Sequence, residues 1–198
     1  MKNVNKKYRK RRGSFCMTIG LLLLTAAFAL TLYNFWDADR ARKASNEAVD
    51  ELEKQISIVP PDGDEMPTIE IDGHRYIGIL QIPSLGLALP VMEEWNYDKL
   101  KISPCRYSGS YYTKDLVICG HNYARHFSPI KWIENGVDVY FENVQGIKFH
   151  YKVSKKEILQ PTQIDKMITS SDDWDLSLFT CTTGGRTRCT VRCVEVVK

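Results

Sequence analysis

No two cysteines of this 198-residue chain stand at C-x-x-C spacing, and Cys189 and Cys193, four apart on one strand face, lie too far apart along it to bind a metal together. The commonest cysteine signature of a zinc site is therefore missing. Internal repeats and low-complexity tracts are also absent, which excludes solenoid arrays and compositionally disordered chains. Acidic residues are lacking from the first dozen positions, where Lys2, Lys6, Lys7, Arg9, Lys10, Arg11 and Arg12 supply seven positive charges. Of the 27 basic residues, the remaining 20 face 24 acidic ones, so the chain beyond the basic run carries a net −4.

A basic run can bind nucleic acid. Here, however, it is followed by SFCMTIGLLLLTAAFALTLYNFW, Ser14 to Trp36, which contains no charge at all. About 20 apolar helical residues cross a bilayer core. Tyr33 and Trp36 end the stretch, where aromatic rings favour the membrane interface. A basic flank stays in the cytoplasm, so no nucleic-acid partner is expected. The expected organisation is a cytoplasmic tail over 1–13, a single-pass membrane anchor over 14–36, and an extracellular remainder. Ala27-Phe28-Ala29 offers a small-x-small cleavage sequence, but it lies inside the apolar run with more apolar residues after it. An uncleaved anchor is the reading adopted.

Ala41, Ala44, Ala48, Leu52 and Ile56 recur at helical spacing in a charged segment, which predicts a stalk helix with one weakly apolar face. We read it as a solvated spacer. SIVPPDGDEMP then reads as a linker, giving a stalk and linker over 37–68 and a globular domain over 69–198. That domain is expected to be all-β. YIGILQIPSLGLALPVM, DLVICGH, VDVYFEN, IKFHYKVSKKEIL, LSLFTC and CTVRCVEVV are rich in β-branched and aromatic residues and are separated by turn residues. Short helices are expected near Tyr97–Lys101, at Pro129–Ile133 and within Ile164–Ser171. Many short strands with regular turns suggest a closed barrel or a sandwich.

An extracellular location makes disulfides the first hypothesis for the cysteines. With Cys16 in the membrane segment, an odd five remain outside, so at least one thiol is free or paired between chains. Cys105, Cys189 and Cys193 read as small buried apolar residues. Cys181 differs, because it ends an apolar strand and is followed by the polar turn TTGGRTR. A cysteine nucleophile needs a base or a cationic neighbour to populate its thiolate. Arg186, Arg188 and Arg192 are near in sequence, and His121 also sits just past an apolar strand, in LVICGHNYARH. If those two strands are neighbours, Cys181 and His121 face one cleft.

These residues resemble the sortases, membrane-anchored cysteine transpeptidases of Gram-positive bacteria. Ser177-Leu178-Phe179-Thr180-Cys181 matches the family's T-L-x-T-C strand end, with Ser for the first Thr. Val117 to Asn122 matches its strand ending in G-H, and an Arg begins the last strand. Ile77 to Val91 and Gly136 to Phe141 look like further family strands, so the resemblance covers Tyr76 to the C-terminus. It implies a closed eight-stranded β-barrel with a few short helices, behind an N-terminal transmembrane helix. Cys181 would be the nucleophile, His121 the general acid and base, Arg188 the oxyanion or substrate stabiliser, and Thr180 a substrate contact. Arg188 takes the first position of the last strand, whereas Arg186 lies in the turn and Arg192 further along. No metal or organic cofactor is implied. The implied partners are surface proteins bearing a Leu-Pro-x-Thr-Gly-like sorting signal, and a cell-wall amine such as a peptidoglycan precursor. Cys119, two residues before His121, could be a rival nucleophile, a redox partner of Cys181 or a buried filler, and filler is preferred. Asp37 to His74 lacks the Asp-Pro-aromatic lid motif of pilin-polymerising members, which favours an anchoring role. A non-catalytic binding module on a membrane stalk is the alternative from another class.

Overall fold

The structure is a computed structural model that describes residues 2–56, 66–170 and 173–196, with side chains from Phe15 onward in the first segment. Most of the expected linker and the side chains of the basic run lie outside the described residues. The chain divides into two compact units, 1–39 and 40–198. Helix α1 (Lys2–Gln55) runs through both. From Phe15 onward it is long and apolar enough to cross a membrane, by length and composition.

In the second unit, the end of α1 is not a solvated spacer. Ala41, Ser45, Ala48, Val49 and Leu52 are buried, and Leu52 is fully so. The small residues of the predicted apolar face allow close approach. Val49 and Leu52 then fill the space against Ile71, Tyr76 and Ile79 in one continuous apolar cluster.

The strands are β1 (Ile69–Ile71), β2 (His74–Ile82), β3 (Leu87–Met92), β4 (Cys105–Ser108), β5 (Leu116–Cys119), β6 (Asp138–Asn143), β7 (Lys148–Leu159), β8 (Leu176–Cys181) and β9 (Arg188–Glu195). They form one sheet in the order β1-β2-β3-β4-β5-β8-β9-β7-β6, and β6 pairs back onto β2. Eight strands thus close a barrel with no free edge, and β1 adds a short antiparallel hairpin to β2. Helices α2 (Tyr97–Leu100) and α3 (Ile164–Ile168) and a 3-10 turn at Ser128–Trp132 fall where the sequence predicts them. Strands β1 and β4 lie outside the predicted segments.

Period-two alternation divides the apolar residues into two layers. Leu116 and Ile118 of β5, Leu176 and Leu178 of β8, and Val191 and Cys193 of β9 fill the barrel interior. Val117, Cys119 and Phe179 point the other way, into a cluster on the outer wall with Leu159, Met167 and Trp174. The pairing that matters most is β5 with β8, which is parallel, with Leu116 opposite Leu176 and Cys119 opposite Phe179. Parallel neighbours need a long crossover, supplied here by everything from β6 to α3. The consequence is that the C-terminal ends of β5 and β8 lie together.

Candidate active site

Beyond the end of β5 come Gly120 and His121, and β8 ends on Cys181. The two strand ends are strapped together. The Gly120 amide donates to the Phe179 carbonyl at 3.1 Å, and the Thr180 hydroxyl donates to the Gly120 carbonyl at 2.9 Å. Gly120 tolerates no side chain, because a Cβ there would stand 2.4 Å from Cγ of the buried Phe127 ring. That close packing fixes the root of the loop carrying His121. Gly184 and Gly185, both at positive φ, turn the chain after Cys181. Strand β9 then returns with Arg188 directly opposite Cys181.

Cys181, His121 and Arg188 line one groove of about 180 Å³ on the outer wall of the barrel. Its lining also includes Cys119 and Phe179, the aromatic residues Trp95, Tyr97 and Tyr107, and the apolar residues Pro161, Ile164 and Met167. The aromatic lining is continuous. Trp95 lies 5.8 Å from Tyr97 and 5.4 Å from Tyr107, and Tyr107 meets Phe179 edge-on at 5.1 Å. The sequence predicts only a short helix near Tyr97. The aromatic spacing of EEWNY and CRY was visible, but nothing in it said that β4 would bring Tyr107 beside Phe179.

The five cysteines beyond α1 separate clearly. Burial pushes the Cys105 thiol up to about 12, and also raises those of Cys119, Cys189 and Cys193. At Cys119 desolvation is the main cause, with the neighbouring Cys105 adding to it. These four are held as neutral thiols. Only Cys181 of the five is partly exposed. All six cysteines are free, as the odd count allowed. A Cys119–Cys181 bridge does not fit the register. Neighbouring strands about 4.8 Å apart, with a rise of about 3.3 Å per residue, put those Cα atoms about 8 Å apart, beyond disulfide reach without backbone movement.

The three arginines separate as well. Arg186 is exposed in the turn. Arg192 shares the outward face of β9 with Arg188 but is only 4% exposed. Its Nε donates to Glu157 at 2.9 Å, and Nη1 donates to Ser177 at 2.8 Å and to the Met167 carbonyl at 3.0 Å. Nη2 donates to the Lys166 carbonyl, and the guanidinium lies over Trp174 at 4.5 Å. Arg192 therefore staples α3 to the barrel. Arg188 sits at the groove, with Nη1 donating to the carbonyls of Gly185 at 3.1 Å and Thr187 at 3.3 Å. Thr180 lines the groove with its hydroxyl engaged on Gly120. Among the described residues, no group of three or more His, Cys, Asp or Glu could hold a metal ion.

An apolar groove with a partly exposed thiol, an imidazole and a guanidinium at its strand-end rim has the parts needed for acyl transfer. Known proteins share this architecture. No curated protein sequence matches the chain. Among solved structures, sortase A from Corynebacterium diphtheriae is 22% identical with a TM-score of 0.55, and the match covers 63% of this chain and 62% of that one. The chain thus spans less than two thirds of that relative's length. Sortase C from Clostridium perfringens with the C-terminal cell wall sorting motif is 22% identical with a TM-score of 0.56, covering 81% and 90%. Sortase C1 from Streptococcus agalactiae is 22% identical with a TM-score of 0.57, covering 65% and 72%. At such identities the likeness is one of fold. The model of the sortase domain, however, matches residues 80–196, more than half of the sequence. The chain belongs to the sortase family.

Proposed function

We propose that this chain is a membrane-anchored cysteine transpeptidase, with Cys181 as nucleophile, His121 as general acid and base, and Arg188 as the donor to the developing oxyanion. The observation that carries this reading is the meeting of all three on one groove, at the shared end of β5 and β8. The Cys181 thiolate attacks a backbone carbonyl carbon of the sorting signal, and the carbonyl oxygen takes the negative charge. An Arg188 N–H stabilises it; the guanidinium has five such donors, and the bonds to Gly185 and Thr187 use only Nη1. As the C–N bond breaks, His121 gives its proton to the departing amine, leaving a Cys181 thioester. The acceptor amine then loses a proton to His121 and attacks the thioester. The C–S bond breaks, the new amide forms and the thiolate is restored.

The aromatic and aliphatic groove walls suit an uncharged, proline-containing segment of the Leu-Pro-x-Thr-Gly type. Thr180 contributes to substrate binding as part of the wall while its hydroxyl straps the strand ends. The basic N-terminal run favours a catalytic unit outside the cell, with surface proteins as donors and a peptidoglycan-precursor amine as acceptor. The lack of an Asp-Pro-aromatic lid motif between Asp37 and His74 favours that acceptor over a pilin lysine.

The test is transpeptidation by the full chain in detergent, with a Leu-Pro-x-Thr-Gly-type peptide and a small amine. Product is expected from the unaltered protein and from Cys119→Ala, and none from Cys181→Ala or His121→Ala. Loss of product in Cys119→Ala with retention in Cys181→Ala would reassign the nucleophile. A Cys181 inert towards peptide and alkylating agent alike would point to a non-catalytic binding module.

A further inference from the structure

His121 lies on an exposed loop, where an unsupported imidazole would sample several rotamers. Proton transfer needs it in one. The loop supplies a support. The Tyr123 amide donates to the His121 carbonyl at 2.8 Å, and this bond between i and i+2 folds the two side chains onto the same side. Their rings stack with centroids 4.1 Å apart and an interplanar angle of 1°. An aromatic face is also a favourable neighbour for an imidazolium.

Tyr123 is held from behind. Its carbonyl accepts from the amides of His126 and Ser128, each at 3.1 Å, and the His126 ring packs edge-on against it at 5.6 Å. His126 is fully buried, and neither ring nitrogen has a hydrogen bond of good geometry. It lies against the backbone of Ala41 in α1. A buried polar ring so weakly partnered lowers stability, and such local departures concentrate where function requires a particular arrangement. The contacts form a chain from Ala41 through His126 and Tyr123 to His121.

We propose that Tyr123 is the positioning residue of His121, fixing the imidazole by ring stacking, with His126 as its buttress beneath α1. The proposal rests on His121 being the acid and base, and the experiment separates the two ideas. Steady-state transpeptidation by the full chain in detergent is compared for Tyr123→Phe, Tyr123→Leu, Tyr123→Ala and His121→Ala, each with a thermal melt. Tyr123→Phe keeps the ring face and is expected to stay within about two-fold of the unaltered protein. Tyr123→Leu and Tyr123→Ala are expected to lose about 10- to 100-fold in kcat, the scale set by misplacing a catalytic group, with the KM for the peptide unchanged. Should Tyr123→Ala fail to fold, Tyr123→Leu, which keeps most of the volume without the ring, decides. A Tyr123→Leu enzyme with unaltered kcat overturns the proposal, as does one whose loss lies in KM alone. Full activity in His121→Ala would instead remove the reading on which the proposal rests.

Discussion

At the residue scale, chemistry at this site is decided by exposure more than by residue type. Five cysteines lie beyond α1, and burial holds four of them as neutral thiols. A thiolate-selective alkylating agent at neutral pH, followed by peptide mapping, is expected to label Cys181 and to spare Cys105, Cys119, Cys189 and Cys193 until the protein is denatured. The arginines follow the same logic. Arg188→Ala removes a groove donor and is expected to lower kcat by about 100- to 1,000-fold without changing the melting temperature. Arg192→Ala instead leaves Glu157 without its buried partner and α3 without its staple. It is expected to cost about 3 kcal/mol of stability, read from the urea midpoint. The sequence placed Arg188 and Arg192 on one strand face, but it carried no sign that α3 would cover the second and leave the first at the groove.

At the element scale, the parallel pairing of β5 and β8 makes the site. The apolar strand ends at Gly120-His121 and at Cys181 were legible, because strand composition and turn residues are local signals. Their adjacency was not, since some sixty residues separate the partners and pairing between distant strands leaves no local trace. The burial of the end of α1 is likewise non-local. Its stripe of alanines looked too weak to bury, yet small residues are what a helix needs to lie close on a barrel wall. Leu52→Ala is therefore expected to cost about 2–5 kcal/mol despite lying in a charged segment.

The same contact has a pH dependence. Burial lowers the pKa of His126 to about 4, against the weaker opposing influence of the Ala41 backbone, with His121 nearby adding to the lowering. An unfolded histidine takes its proton below about pH 6.5, whereas folded His126 stays neutral to about pH 4. Stability is thus lost as pH falls through that window, by about 3 kcal/mol in all. Comparing urea midpoints at pH 7.5 and 4.5 isolates the effect, because His126→Phe should be the less acid-sensitive protein. Equal acid sensitivity in the two would contradict it.

At the scale of the whole molecule, one unit has the length and apolar composition of a membrane span and the other is a barrel with a groove on its wall. The barrel unit begins at Arg40, and it includes the buried residues Ala48, Val49 and Leu52. A fragment starting at Ile69 is accordingly expected to melt below one starting at Arg40. Whether Cys181 carries the acyl group is read by intact-mass spectrometry of the full chain in detergent, mixed with a Leu-Pro-x-Thr-Gly-type peptide without an acceptor amine. One added acyl mass is expected, mapped to Cys181, released by hydroxylamine and absent in Cys181→Ala. An adduct mapped to Cys119, or none with any sorting-type peptide while Cys181 remains alkylatable, would contradict it.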